Sequence, residues 1–149
     1  MTKLADPVDD AFCIGCGPQS EIGLHMRFRV TQDGDVESRV EIPRAYQGWR
    51  GVVHGGIVAL LLDEAMAYAA GALGILGVTA ELKLRFRQAV PTDRPLVVRG
   101  KIEWRRQRVL GITATVNDAG GTLLASAEGK FISRGTLAPG VRFGSIDGR

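Results

Sequence analysis

One stretch limits what this chain can fold into: residues 52–70, VVHGGIVALLLDEAMAYAA. A β-branched pair leads into His54-Gly55-Gly56. The apolar run that follows reads as a helix, with Asp63 and Glu64 in its middle. Leu60, Leu61, Leu62, Ala65, Met66, Ala67, Ala69 and Ala70 surround those carboxylates on every side of the helical wheel. A helix that is apolar all round is a buried helix. Burying a carboxylate without a partner costs several kcal/mol or more, so an acid placed there needs a reason.

Composition sets the frame for that reason. At 149 residues with 45% hydrophobic content, the chain reads as one globular domain, residues 1–149, with a substantial core. Residues 1–10 carry Lys3, Asp6, Asp9 and Asp10 and do not resemble a signal peptide. The apolar run 65–80 is too short and too glycine-containing for a membrane span. The expectation is a cytoplasmic protein without membrane association. Fifteen of the nineteen basic residues are Arg, which binds phosphate through two bonds at once and suits a phosphorylated small molecule. Nucleic acid would call for a denser basic stripe with aromatic platforms, and aromatics make up only 6%.

Taken in order, residues 1–23 are irregular. They include Cys13-Ile14-Gly15-Cys16-Gly17-Pro18, a turn-forming cluster. The Cys pair invites a zinc reading, but zinc needs four ligands and the sequence offers no second Cys or His pair, so no metal is expected. Residues 24–30 and 36–42 alternate as half-buried strands around an Asp33-Gly34 turn. Residues 44–51 form a loop carrying Tyr46, Gln47, Gly48 and Trp49. After the helix and a glycine-rich exit, four strands are expected. Residues 79–87 put Ala80, Leu82, Leu84 and Phe86 inward; residues 96–104 put Trp104 inward. Residues 109–117 and 123–133 follow around a turn at Asp118-Ala119-Gly120-Gly121. These four can be joined antiparallel by short turns. The aperiodic tail 135–149 is expected to be mobile.

A helix of about 16 residues is about 24 Å long, and five or six strands at about 4.8 Å span a similar width. The fold class is therefore α+β: one long buried helix across the concave face of a curved five- to six-stranded antiparallel sheet. Because the helix is apolar even on the side away from its own sheet, a second copy of the chain is expected to cover it. Gly55 and Gly56 stand at the helix start, where unpaired N–H groups and the helix dipole stabilise a developing oxyanion. The competing reading of the glycines is tight packing. Asp63 lies about 12 Å further along the axis, too far to act on the same carbonyl within one helix. Two antiparallel helices from two chains would bring Gly55 of one to Asp63 of the other. Glu64 is the rival acid, turned about 100° away. His54 shapes the helix entry or bonds a substrate oxygen. The Thr79 hydroxyl holds a water or the Asp63 carboxylate, or Thr79 is there only for its β-propensity.

His54-Gly55-Gly56 followed by Asp63, Ala65 and Ala69 resembles the signature of hotdog-fold thioesterases of the PaaI-like (phenylacetate-pathway) type. The segment from Tyr46 to Val53 and the early Cys13-x-x-Cys16-Gly17 with Gly23-Leu24 resemble a subgroup of it, so the likeness spans about residues 12–134. The resemblance implies metal-free hydrolysis of acyl-CoA by a homodimer or dimer of dimers, with no cofactor beyond the coenzyme A of the substrate. It implies that Asp63 is nucleophile or general base, that the Gly55 N–H polarises the thioester carbonyl and that Thr79 assists. Gln47 or Gly48 takes the place of an Asn that many members carry before the glycines. Gly56, Trp49 and Glu64 join the substrate-binding candidates. Arg85, Arg87, Arg105, Arg106 and Arg108 are candidates for the coenzyme A phosphates. Two other readings stand beside this one: a hotdog hydratase or dehydratase acting on acyl thioesters, and a non-catalytic acyl-CoA-binding or sensing module.

Overall fold

The computed structural model describes residues 11–144 and the backbone of 146–147. Helix α1 (Gly55–Gly71) packs against six antiparallel strands: β1 (Phe28–Val30), β2 (Val36–Glu41), β3 (Ile75–Phe86), β4 (Pro95–Arg106), β5 (Val109–Asp118) and β6 (Leu123–Thr136). Their order across the sheet is β3-β6-β5-β4-β2-β1, and a two-residue β7 (Ile146–Asp147) adds in parallel beside β1. This is the α+β, one-helix, antiparallel-sheet architecture that the sequence predicts, with β7 as an addition. Residues 11–23 are irregular, as expected. The part of that expectation concerning residues 1–10 lies outside the described residues.

The helix is held by Val58, Leu61, Leu62, Ala65, Met66, Tyr68 and Ala69, all buried. Glycines on the sheet let it approach closely. A Cβ at Gly100 would overlap the Ala65 carbonyl oxygen, and one at Gly129 would lie 2.6 Å from Met66 Sδ. One side stays open. Gly56, Ala59, Leu60, Asp63 and Ala67, spaced three or four apart, form a stripe that is half-buried or exposed. Asp63 is thus half-buried rather than deeply buried, because one sheet covers only one side of a helix.

Two bulges change faces that strict alternation predicts. On β3, Thr79 pairs with Phe131 and Glu81 with Lys130, leaving Ala80 as an extra residue. Phe131 is buried on the helix side. The bulge therefore turns Thr79 toward α1 and leaves Ala80 exposed, not inward. On β4, Ile102 pairs with Ile112 and Trp104 with Gly111, so Glu103 is the extra residue. Trp104, expected inward, lies 41% exposed across Gly111.

Boundaries and connections differ as well. The first strand is short because His25 takes φ 49°, and Leu24 and Met26 donate their N–H groups to Ile14 and Gly15 instead of to the sheet. β3 begins at Ile75, inside the expected exit segment. It pairs with β6, not β4. Residues 87–94 carry the chain from one edge past the ends of β6 and β5. A loop of that length reaches up to about 27 Å, and three strand spacings need only about 14 Å. It is pinned where Arg87 and Gln88 donate to the Leu124 carbonyl, Asp93 donates to that of Ile42, and Val90 accepts from Val53 N–H at the helix entry. The tail, expected to be mobile, makes specific contacts over its described part: Phe143 meets the Tyr68 ring edge-on at 4.9 Å.

Candidate active site

The helix entry is built by His54. It is the N-cap, and its Nδ1 accepts the Gly56 N–H at 2.9 Å, which leaves the proton of the neutral ring on Nε2. Gly48 lies close against this residue; a Cβ there would come 3.3 Å from His54 Cα and 3.4 Å from its ring Cδ2. The His54 carbonyl takes the Ile57 and Val58 N–H groups. Among the described residues no acceptor meets the Gly55 N–H, so one donor at the positive end of the helix dipole stays available. Own-chain packing does not require glycine at this position, since the nearest atom to a Cβ at Gly55 would be Phe86 at 3.8 Å. Trp49, His54, Gly55, Val58, Phe86 and Arg87 line a groove at this place. Trp49 is 84% exposed at its rim.

Neither Asp63 nor Thr79 lines that groove. They form a separate pair: Thr79 Oγ1 donates to Asp63 Oδ1 at 2.6 Å. This fixes one carboxylate oxygen on the open stripe of α1. The bulge at Ala80 is what aims the hydroxyl there. Glu64 goes elsewhere. Cys13 Sγ donates to Glu64 Oε1 at 3.2 Å, and Gly15 packs on the Glu64 side chain. It is thus tied to the N-terminal loop and not to the groove where substrate binding was expected. Burial, reinforced by Glu64, pushes the Cys16 thiol above its usual range.

The remaining candidates separate. Gln47 Oε1 accepts the Gly51 N–H at 3.2 Å, which braces the loop turn at Gly51, φ 73°; Gln47 does not line the groove. Arg87 stands in the groove, whereas Arg85 pairs opposite Ser126 on the face away from the helix. Arg105, Arg106 and Arg108 lie at the β4–β5 turn, and Arg108 donates to the Ser133 carbonyl. Sequence reasoning missed Phe86 as a groove wall, having read it as core. It also missed the Cys13–Glu64 contact, for which Gly15 between the cysteines was a signal.

Residues 50–125 match the family model of the thioesterase superfamily. No curated protein shows significant sequence similarity to the chain. Among solved structures, RHA08564, a thioesterase superfamily protein, is 32% identical with a TM-score of 0.75; the match covers 85% of this chain but only 62% of that one. A hypothetical thioesterase from Streptococcus pneumoniae, solved with coenzyme A, is 18% identical with a TM-score of 0.71, covering 76% of this chain and 91% of that one. That protein was also solved with an aspartate, and separately a threonine, replaced by alanine. PaaI of E. coli, from the phenylacetic acid degradation operon, is 17% identical with a TM-score of 0.70, covering 76% of this chain and 83% of that one.

Proposed function

The chain belongs to the thioesterase superfamily, and from that premise we propose that it hydrolyses an acyl-CoA thioester to the free acid and coenzyme A. The observation that carries this reading is the Thr79–Asp63 pair at 2.6 Å on an open helix stripe, on a helix whose first N–H has no acceptor among the described residues. The aspartate and threonine replaced in the pneumococcal protein are sixteen positions apart, as Asp63 and Thr79 are.

In this mechanism Thr79 holds one Asp63 oxygen, and the other takes a proton from water or attacks the carbonyl. The Gly55 N–H receives the carbonyl oxygen as charge develops on it. The two groups belong to different protomers, since about 12 Å separates them along one helix. β3 supports such a dimer. It is a twelve-residue strand at the edge of the sheet, with one flank unpaired among the described residues, and Val78 and Phe86 are exposed on it. An edge of that length is a template for pairing with a second copy, which would set the two open helix stripes beside each other. Arg87 lines the groove and is the arginine assigned here to a coenzyme A phosphate.

The test is thiol release over short, long and aromatic acyl-CoAs, with an enoyl-CoA included. Release of free coenzyme A that depends on Asp63 supports the proposal. Hydration without thiol release would assign a hydratase, and tight binding with no turnover across the panel would leave a binding module.

A further inference from the structure

We propose that Cys13, Cys16 and Glu64 form a binding site for one thiophilic divalent cation of the zinc class, which fastens the N-terminal loop to the middle of α1. The three side chains each offer a ligand atom, and these atoms all lie within 4.8 Å of one another. A tetrahedral zinc ion, with bonds of about 2.3 Å to sulfur and about 2.1 Å to oxygen, holds such atoms roughly 3.5–3.8 Å apart. Small side-chain rotations close that gap. Two thiolates and a carboxylate are a ligand set that zinc accepts, with water in the fourth position.

The scaffold is built on all three sides. Gly17 N–H donates to the Cys13 carbonyl at 2.8 Å and closes a turn that puts both sulfurs on one side. Leu24 and Met26 donate to Ile14 and Gly15 at 2.8 and 2.9 Å, so the turn is braced by the following segment. A Cβ at Gly15 would overlap Glu64 Cγ; the glycine lets the loop lie on the carboxylate arm and aims it at the sulfurs. Tyr68 is fixed by stacking on Phe28 at 4.2 Å and hydrogen-bonds the Cys16 sulfur, an outer contact of the kind that orients metal ligands. In the metal-free state a thiol proton fills the site, as Cys13 donates to Glu64. Binding would release both thiol protons to solvent and put the dication in their place.

The sequence hid this site because its third ligand stands 51 positions from Cys13. The ion would lie away from the proposed reaction site, since Glu64 leaves α1 about 100° from Asp63, and a clip between residues 13 and 64 closes a long loop.

The experiment uses the full-length, tag-free chain, purified under reductant without chelator. Metal analysis should find one zinc per chain. Cobalt added to the metal-free protein should give a thiolate-to-cobalt charge-transfer band that zinc abolishes, and zinc should raise the melting temperature. Cys13→Ser should lose the band. Glu64→Gln should keep a thiolate band with affinity weakened by about tenfold or more. Circular dichroism checks that each variant folds, and Cys13, half-buried, carries the decision if a Cys16→Ser chain does not. Folded, reduced protein with neither bound metal nor a cobalt band would overturn the proposal. Cobalt bound equally well by Cys13→Ser or by Glu64→Gln would do the same, as would a Cys13–Cys16 disulfide forming in the presence of zinc and reductant.

Discussion

Asp63 and Glu64 are consecutive carboxylates on one helix, yet they face different parts of the chain. Asp63 lies on the open stripe of α1 and accepts a hydrogen bond from the Thr79 hydroxyl. Glu64 points under the N-terminal loop, against Cys13 and Gly15. The difference comes from a turn of about 100° between adjacent helical residues, and from which side of the helix the rest of the chain covers. Chemistry needs a carboxylate that one partner orients and that something from outside can still reach. A structural carboxylate needs the opposite.

Replacing each acid by its amide is the sharpest way to break this comparison. Asp63→Asn keeps the shape and removes the proposed base or nucleophile, so kcat for thiol release should fall by about 10²- to 10⁴-fold, with the fold intact by circular dichroism. Glu64→Gln should change kcat by no more than a few-fold and act on stability instead. Equal losses in both variants would mean that α1 carries one acidic cluster rather than two separate functions.

Gly55→Ala examines the other half of the proposed site. Its Cβ would meet only Phe86 at 3.8 Å, so the protomer should fold, and the better helix propensity should add up to about 1 kcal/mol of stability. Activity should drop roughly tenfold or more, because a methyl group would displace the carbonyl from the N–H. Melting and kinetics would thus move in opposite directions. Full activity in this variant would remove Gly55 from the site.

In the proposed mechanism Thr79 positions Asp63 without touching the substrate, so its effect should be smaller. Thr79→Ala should lower kcat by about tenfold and leave KM nearly unchanged. Thr79→Ser, which keeps the hydroxyl, should restore most of the loss. Failure of the serine to rescue would assign Thr79 to packing.

How much of this could be read from the sequence depended on the range of the physics involved. The helix and its cap announce themselves locally: His54-Gly55-Gly56 before a long apolar run is a short-range pattern, and α1 begins at Gly55. The alternation within residues 96–104 and 109–117 located core strands for the same reason, and Leu96, Val98, Leu110 and Ile112 within them are buried. Bulges were invisible. Ala80 and Glu103 are extra residues only relative to the partners β6 and β5, so a single strand's alternation cannot reveal them. One of those bulges decides whether Thr79 faces solvent or Asp63. The order β3-β6-β5-β4 was also hidden, since it depends on where the loop 87–94 anchors. Glu64 reads in the sequence as a rival acid turned about 100° from Asp63 and as a substrate-binding candidate; its contact with Cys13, 51 positions away, is not legible there.

A third carboxylate serves as the control for the first two. Glu37 on β2 is 1% exposed and is met by charge, with Arg29 Nη2 at 2.8 Å, Arg99 Nη2 at 2.6 Å and Arg39 Nε at 3.6 Å. Burial opposes its ionisation, but the hydrogen bond and charge of Arg29 and the charge of Arg99 prevail and hold its carboxyl below the ordinary 4.5. A depressed folded-state value means that the stabilisation is complete above the unfolded value and is lost as pH falls through the folded one. The arginines are more than half exposed, so solvent and salt weaken the pairing. Glu37→Gln should therefore cost about 1–2 kcal/mol in urea unfolding at neutral pH. The gap to the unmodified chain should narrow below pH 4.5 and close in stronger acid. Thiol release at neutral pH should hardly change, because Glu37 lies on the face of the sheet away from α1. A gap that stayed constant down to strong acid would show that Glu37 contributes shape rather than charge.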